Sequence, residues 1–462
     1  MDKDRFNDFD EEDRQLVLDF ENTVLRGGTQ FFDVDELEVI IDYYLEVGDM
    51  APLVQAVDYA EQLYPNSTSV HLRRAHLLIA QEQYNKAMAI LLDLRRREPN
   101  NTDVAYSLGV AYGAMGEHEK AVAHYLEAAE DGWLLGRIYA NIAEEYYHMD
   151  DFAEAIRFYQ LALDTDSYDD ATLYNYLDTA IQADRVDDTV EYLKSFVDEH
   201  PYDSVGWHVL GNAYREHGLY EKAIDAYEYA IAIDKNNTSC YFDLSLAYEA
   251  KGQIGEAVSS LLRARDLTNH RSALFRQVAL VYTRSGNAEL ALLYYRKAVE
   301  EDPDDVEALA SLALGCYMAG EVDQARGYIK KALLMAPDNA EVLFSAGGIS
   351  EMECNNDMAG EYYERAIASD GCTETMCRCY TQFLYKSGNY EILIDFALES
   401  LEIYHDDPFY STFLAAAYFH TNRYNRASRM LPNVDTPLLR IICPEIFENP
   451  RLSAIIPPEE SV

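Results

Sequence analysis

Apolar residues recur along this chain at helical spacing and are interrupted at regular distances. Trp207, Leu210, Gly211 and Tyr214 follow an i, i+3, i+4, i+7 stripe, and beyond Gly218 a second stripe runs through Ala223, Ile224, Tyr227, Ala230 and Ile231. The pattern predicts two helices joined by a short turn. It returns every 34 residues, in twelve frames that begin at 34, 68, 102, 136, 170, 204, 238, 272, 306, 340, 374 and 408 and run to residue 441 without insertion or deletion. One helical hairpin leaves apolar faces uncovered, and stacking on its neighbours covers them.

Each recurring place has a physical reason. The eighth place is small in nine frames: Ala75, Gly109, Ala143, Gly211, Ser245, Ala279, Ala313, Gly347 and Ala415. The twentieth is Ala in nine frames, with Leu53, Thr189 and Leu393 as exceptions. Small residues at both places are expected to let the two helices of a pair approach closely. Tyr holds the eleventh place in seven frames and the twenty-fourth in five (Tyr125, Tyr159, Tyr227, Tyr295, Tyr363), where rings are expected to fill the space between one pair and the next. Gly at the fifteenth place (Gly48, Gly116, Gly218, Gly252, Gly286, Gly320, Gly388) ends the first helix. Pro at the thirty-second (Pro65, Pro99, Pro201, Pro303, Pro337) ends the second. Frame 170 (Leu177, Thr189) and the last two frames (Thr381, Leu393, Pro432) depart from these columns, so less regular packing is expected there.

Trp207-x2-Leu210-Gly211-x2-Tyr214 followed by Ala223-x3-Tyr227-x2-Ala230 carries a motif that resembles the tetratricopeptide repeat (TPR) family. So does Phe275-x2-Val278-Ala279-x2-Tyr282 followed by Ala291-x3-Tyr295-x2-Ala298 and Pro303, and the resemblance extends over residues 34–441. It implies an all-α fold, a right-handed α-solenoid of antiparallel helix pairs whose first helices line a concave face. The outward places of those first helices would then meet a ligand. They carry the candidate peptide-binding residues Asn141, Asn175, Asn212, Arg215, Arg276, Gln277, Arg284 and Arg378, with His208 beside them. Asn can hold a peptide backbone through paired donor and acceptor atoms, and Arg can hold a carboxylate bidentately. The family's clamp for chaperone C-terminal carboxylates is not matched. Asn212 fits one of its places, but His208, Asp243, Ala273 and Gln277 replace the residues of the others.

Three regions follow. Residues 1–33 are expected to form an N-terminal capping helix, with Leu16, Val17, Phe20, Val24 and Leu25 at helical spacing before Gly27 and Gly28. Residues 34–441 make twelve repeats in one solenoid. Residues 442–462, with Pro444, Pro450, Pro457 and Pro458, leave room for one short helix and a tail.

Composition then narrows the function. Asp and Glu number 82 against 37 Lys and Arg, a formal net charge of −45. That balance argues against binding a phosphate backbone or an anionic membrane surface, while 49% hydrophobic content argues against disorder. The first residues show no basic stretch leading into an apolar one, and no run of about 18 apolar residues occurs, so no membrane insertion and a cytoplasmic location are expected. Seven cysteines, an odd number, are expected to be reduced thiols. Cys372, Cys377 and Cys379 form the one cluster, at a spacing that fits no standard zinc site.

The chemistry of catalysis is not written in this chain. His118-Glu119 opens like a zinc-hydrolase helix, but Val122 stands where a second His is required. Asp164 to Asp170 lacks the central Gly and terminal Glu of a calcium loop and reads as a turn whose Asp side chains cap the next helix. No phosphate-binding loop occurs. No enzyme, no metal and no cofactor are expected.

The expected function is a non-catalytic scaffold or adaptor that binds protein or peptide segments in the concave channel. A regulatory receptor for a small peptide signal and a tethering subunit of an enzyme or secretion complex stand as alternatives. Charge is uneven along the chain: residues 101–200 carry 22 acids and 5 bases, whereas residues 251–300 carry 4 acids and 8 bases. Basic partners are favoured along the acidic faces by electrostatic steering. The basic window, with Arg263, Arg265, Arg271, Arg276 and Arg284, has two readings. Either it docks an acidic segment, or it neutralises its own acidic neighbours, Arg276 against Asp243 for example.

Overall fold

The computed structural model describes residues 11–28, 30–131, 134–165, 168–405 and 407–457, with the side chains of Glu11, Leu25 and Asp131 outside that description. All regular elements among these residues are helical. The chain divides into two compact units, Met1–Lys235 and Asn236–Val462.

In the first unit, the first helices of successive pairs are Val34–Val47, Thr68–Ala80, Thr102–Ala114, Leu135–His148, Asp170–Gln182 and Ser204–Glu216. Their partners are Met50–Leu63, Tyr84–Arg97, His118–Ala128, Phe152–Leu163, Val186–Glu199 and Tyr220–Ile233. In the second unit the first helices are Thr238–Ala250, Arg271–Arg284, Val306–Met318, Ala340–Met352, Glu374–Lys386 and Pro408–His420. Ile254–Arg263, Ala288–Glu301, Val322–Met335, Asn356–Ile367, Tyr390–Ile403 and Tyr424–Met430 pair with them. Every first helix starts within one residue of the beginning of a 34-residue frame.

Capping explains where these helices start. Ten of the twelve first helices open on a side chain that accepts a first-turn backbone N–H: Asp33, Ser67, Asn101, Asp169, Asp203, Asn237, Asp305, Asn339, Thr373 and Asp407. Each satisfies a donor that the helix cannot, and the five Asp caps add negative charge at the positive end of the helix dipole. The caps form a periodic column of their own, and they account for part of the acidic composition.

The fifteenth place explains where the first helices stop. Its backbone is left-handed in all twelve frames, with φ between +53° and +82°. Seven of these residues are Gly, but Glu82, Asp150, Asp184, Cys354 and Asn422 adopt the same conformation. The turn therefore persists where its preferred residue is missing, at a steric cost of about 1 kcal/mol per side chain.

The aromatic column packs within a pair as well as between pairs. A Cβ built on Gly109, Gly211 or Gly347 would lie 2.6, 2.5 or 2.7 Å from the ring of Tyr125, Tyr227 or Tyr363. These rings fill the space inside a pair, beneath the small eighth-place residue, and the column also reaches the following pair, where Tyr295 meets Gly315 and Tyr363 meets Tyr380 and Phe383. A ring at this place needs the room that a missing side chain leaves.

Helices flank the repeats on both sides and pack on them. On helix Glu11–Thr23, Val17 and Phe20 are buried with Phe32, Ile41 and Tyr44, and the Phe20 and Phe32 rings meet edge-on at 5.8 Å. Full burial of such a ring contributes roughly 2–3 kcal/mol. At the other end, helix Thr436–Ile442 packs on Pro408–His420, and Leu439, Cys443, Ile446 and Leu452 are buried beside it. The chain thus contributes to a core well beyond the short helix expected there.

Candidate functional site

Backbone proximity singles out one surface within each unit. Apart from chain neighbours, the helices that approach most closely are first helices of successive pairs. In the first unit Thr68–Ala80 lies beside both Val34–Val47 and Thr102–Ala114, and Asp170–Gln182 beside Ser204–Glu216. In the second, Val306–Met318 lies beside both Arg271–Arg284 and Ala340–Met352, and Glu374–Lys386 beside Pro408–His420. First helices of successive pairs therefore lie side by side at these places, whereas Leu135–His148, which carries Asn141, is not among those that approach this closely.

In the first unit the candidate asparagines are tied to tyrosine hydroxyls. Asn141 donates to the Tyr106 hydroxyl at 3.0 Å and also hydrogen-bonds Tyr125. Asn175 faces the Tyr159 phenol and opposes, weakly, the effect of its burial. The Tyr227 hydroxyl donates to Asn212 Oδ1 at 2.7 Å. The cause is the buried aromatic column, because a phenol inside a helix pair must find a polar partner where it emerges. Burial also pushes the Tyr125 and Tyr159 phenols up, which keeps them protonated as donors. An amide has capacity beyond one such bond, so the three side chains retain polar atoms for a ligand. Arg215 pairs with Glu216 at 3.2 Å. His208 departs from expectation: it is 2% exposed, with Nδ1 3.0 Å from the Tyr174 hydroxyl, so it packs inside the stack.

In the second unit Arg276, Gln277 and Arg284 stand together on Arg271–Arg284, whereas Arg378 stands on Glu374–Lys386. Arg276 Nη2 donates to Glu307 at 2.5 Å, and its Nη1 lies 3.1 Å from both carboxylate oxygens of Glu341. Its partners thus belong to the two following pairs, and Asp243 in the preceding pair is not among them. Burial raises the Glu341 carboxyl above its ordinary range despite the opposing pull of Arg276. Arg284 grips both oxygens of Glu249, with Nη2 at 2.7 Å. Gln277 is half-buried beside Arg276. Arg378 bridges Glu374 and Asp407, each at 2.6 Å, and lies over the Phe409 ring at 4.7 Å.

The rest of the basic window behaves alike. Arg265 pairs with Asp266, Arg271 lies 3.9 Å from the same carboxylate, and Arg296 reaches Glu321. Arg263 lies over the Tyr241 ring. Arg265, Arg271 and Arg296 thus spend their charge on acids within the unit, which favours the second of the two readings of this window.

Three features were not singled out from the sequence. Arg73 bridges Glu38 and Asp42 at 3.2 and 2.7 Å, and a base at the sixth place facing acids at the fifth and ninth places of the preceding frame would have been the signal. Glu145 is 7% exposed and meets His118 Nδ1 at 2.6 Å, while His118 stacks on His148. Gly113 makes room for that carboxylate, since a Cβ there would collide with it. The third is the approach of two cysteine thiols in the second unit.

Among the described residues, no group of three or more His, Cys, Asp or Glu is placed to hold a metal ion. Likewise, no helix is long and apolar enough to cross a membrane. Asp166 and Ser167 of the calcium-like segment lie outside the described residues, and Asp169 caps the next helix through Thr172 N at 2.9 Å.

Comparison with known proteins agrees with the architecture. The tetratricopeptide repeat pattern matches residues 72–134, 136–169, 242–306 and 282–343, and a TPR repeat pattern matches 211–252. TPR repeat-containing protein YpiA of Bacillus subtilis (strain 168) is 24% identical over 327 residues, 63% of this chain and 69% of that protein. Superkiller complex protein 3 of Homo sapiens is 23% identical over 257 residues, 54% of this chain, which spans only 16% of that much longer protein. Among solved structures, yeast Tom70 aligns over 90% of this chain and 97% of its own at 12% identity, with a TM-score of 0.46.

Proposed function

As the chain is a tetratricopeptide repeat protein, we propose that it is a non-catalytic scaffold or adaptor that binds protein or peptide segments along its first-helix rows. The observation that carries this reading is the close approach of successive first helices, which sets polar side chains from several repeats beside one another. Extended peptides and amphipathic helices both suit a surface of that kind. In the proposal Asn141, Asn175 and Asn212 contact the segment in the first unit, with Arg215 beside them. Arg276, Gln277, Arg284 and Arg378 contact it in the second. The excess of acids, 82 against 37 bases, supports basic partners. An acidic segment would have to displace the internal carboxylates that already hold Arg276 and Arg284. All seven cysteines are free thiols, which supports a cytoplasmic location.

A tethering subunit of a larger complex is the second reading. It draws on the relative named Superkiller complex protein 3, whose name places that protein in a complex.

The test is affinity capture from the cells of origin, followed by cross-linking of the recovered partner and mapping of the linked residues. Cross-links on the first helices, weakened by Asn141→Ala and Asn175→Ala, support the proposal. Cross-links confined to the second helices, or binding indifferent to these substitutions and to Arg284→Glu, overturn the assignment of the surface.

A further inference from the structure

The cysteine run that fits no metal spacing has a geometry of its own. Cys372 lies in the loop between Asn356–Ile367 and Glu374–Lys386, directly after Gly371, whose φ is +97°. Cys377 sits in the first turn of Glu374–Lys386, a helix capped by Thr373. Their Sγ atoms are 3.5 Å apart, and Cys372 is half-exposed. Cys379 has different surroundings, with the charges of Glu351 and Lys386 nearby. A disulfide holds its sulfurs at about 2.05 Å. Closing the remaining gap asks for a displacement of about 1.5 Å, in a loop that turns on a glycine.

We propose that Cys372 and Cys377 form a thiol–disulfide modification site, which a low-molecular-weight disulfide oxidises to an intramolecular bridge. The Cys372 thiolate attacks one sulfur of the external disulfide, giving a mixed disulfide and releasing one thiolate. Cys377 then loses its proton and attacks Cys372 Sγ, and the second small thiolate leaves. Two protein thiols are oxidised, one external disulfide is reduced to two thiols, and the two protons lost by the protein thiols end on the released thiolates. Both thiols are half-exposed, and the step is written with Cys372, on the loop, meeting the oxidant before Cys377, which the helix carries. Burial and the neighbouring Cys372 thiol push the Cys377 thiol up to about 12, which marks it as the resolving partner. Formation of the mixed disulfide removes that neighbouring thiol. The bridge then pins the loop to the helix that carries Arg378.

The experiment uses the full chain incubated with glutathione disulfide, alkylated and digested with trypsin. Residues 366–378 leave as one peptide with both cysteines, and Cys379 begins the next. The expected result is loss of two hydrogens and of both alkylation sites from that peptide, reversed by dithiothreitol, with the other cysteines alkylated as before. Cys377→Ser should instead accumulate a glutathione adduct on Cys372, and Cys372→Ser should show neither product. Three results overturn the proposal: full alkylation of both cysteines after oxidation, a persistent glutathione adduct without a bridge, or a bridge to Cys379. The first readout is on the unaltered chain, so misfolding of a variant leaves the test intact.

Discussion

Gly211 lies directly against the ring of Tyr227. A methyl group on Gly211 would come within 2.5 Å of Tyr227 Cε1, while the Tyr227 hydroxyl donates to the adjacent Asn212 at 2.7 Å. The missing side chain, the ring and the candidate site residue are therefore one mechanical unit. Replacing Gly by Ala inside a helix ordinarily stabilises by about 1 kcal/mol. Here the sign should reverse, with Gly211→Ala costing about 1–3 kcal/mol because the ring must move. In a Tyr227→Leu background the same substitution should recover the ordinary gain. Urea unfolding of the four proteins in the cycle measures this, and equal effects in both backgrounds would refute the coupling.

The left-handed fifteenth place predicts opposite signs at two of its turns. Glu82 holds φ at +59° and Gly320 at +82°. Glu82→Gly should stabilise by about 0.5–1 kcal/mol, and Gly320→Ala should destabilise by about 1–2 kcal/mol. Thermal melts check both. The first prediction fails if Glu82→Gly lowers the Tm.

His76 supplies a pH dependence. Burial, aided by Arg73 and Arg137, lowers its pKa to about 4, and its Nε2 lies 2.9 Å from Ser107 Oγ. The unfolded chain binds this proton near pH 6.5 and the folded chain only near 4, so stability is complete above about 6.5 and falls with acidification across that window. The loss should be of the order of 1–3 kcal/mol after allowance for partial exposure. Chemical denaturation between pH 7.5 and 4.5 should show that slope, and His76→Asn should flatten it. A slope unchanged by the substitution assigns it elsewhere.

Arg276 holds two carboxylates on successive first helices, which predicts a structural cost for its removal. Arg276→Met should lose about 1–3 kcal/mol, less than a fully buried pair because Glu307 and Glu341 are partly exposed. Without the guanidinium the Glu341 carboxyl rises further, so the deficit should narrow as pH falls from 7.5 to 5. A deficit independent of pH would mean that packing, not charge, is what Arg276 contributes.

The helix Glu11–Thr23 covers apolar side chains of the first pair, with Phe20 fully buried. Deleting residues 1–28 should expose Ile41 and Tyr44, promote self-association and lower the Tm. Light scattering and melting of the truncated chain test this together. A monomer of unchanged stability would show that the helix does not act as a cap.

What sequence alone determined was local. The 34-residue period, the paired helices and the turn at the fifteenth place follow from spacing within one pair and from the backbone preference of Gly, neither of which needs a distant residue. The cap column, from Asp33 to Asp407, is equally local, since each cap bonds a backbone N–H of its own helix. The tertiary structure decided which polar side chains are still available to a partner. Arg276 meets Glu307 and Glu341, 31 and 65 residues ahead, and Asn212 is held by a tyrosine of its own pair. Linear spacing fixes the face of a helix but not the rotation between successive pairs, and that rotation sets which charges meet.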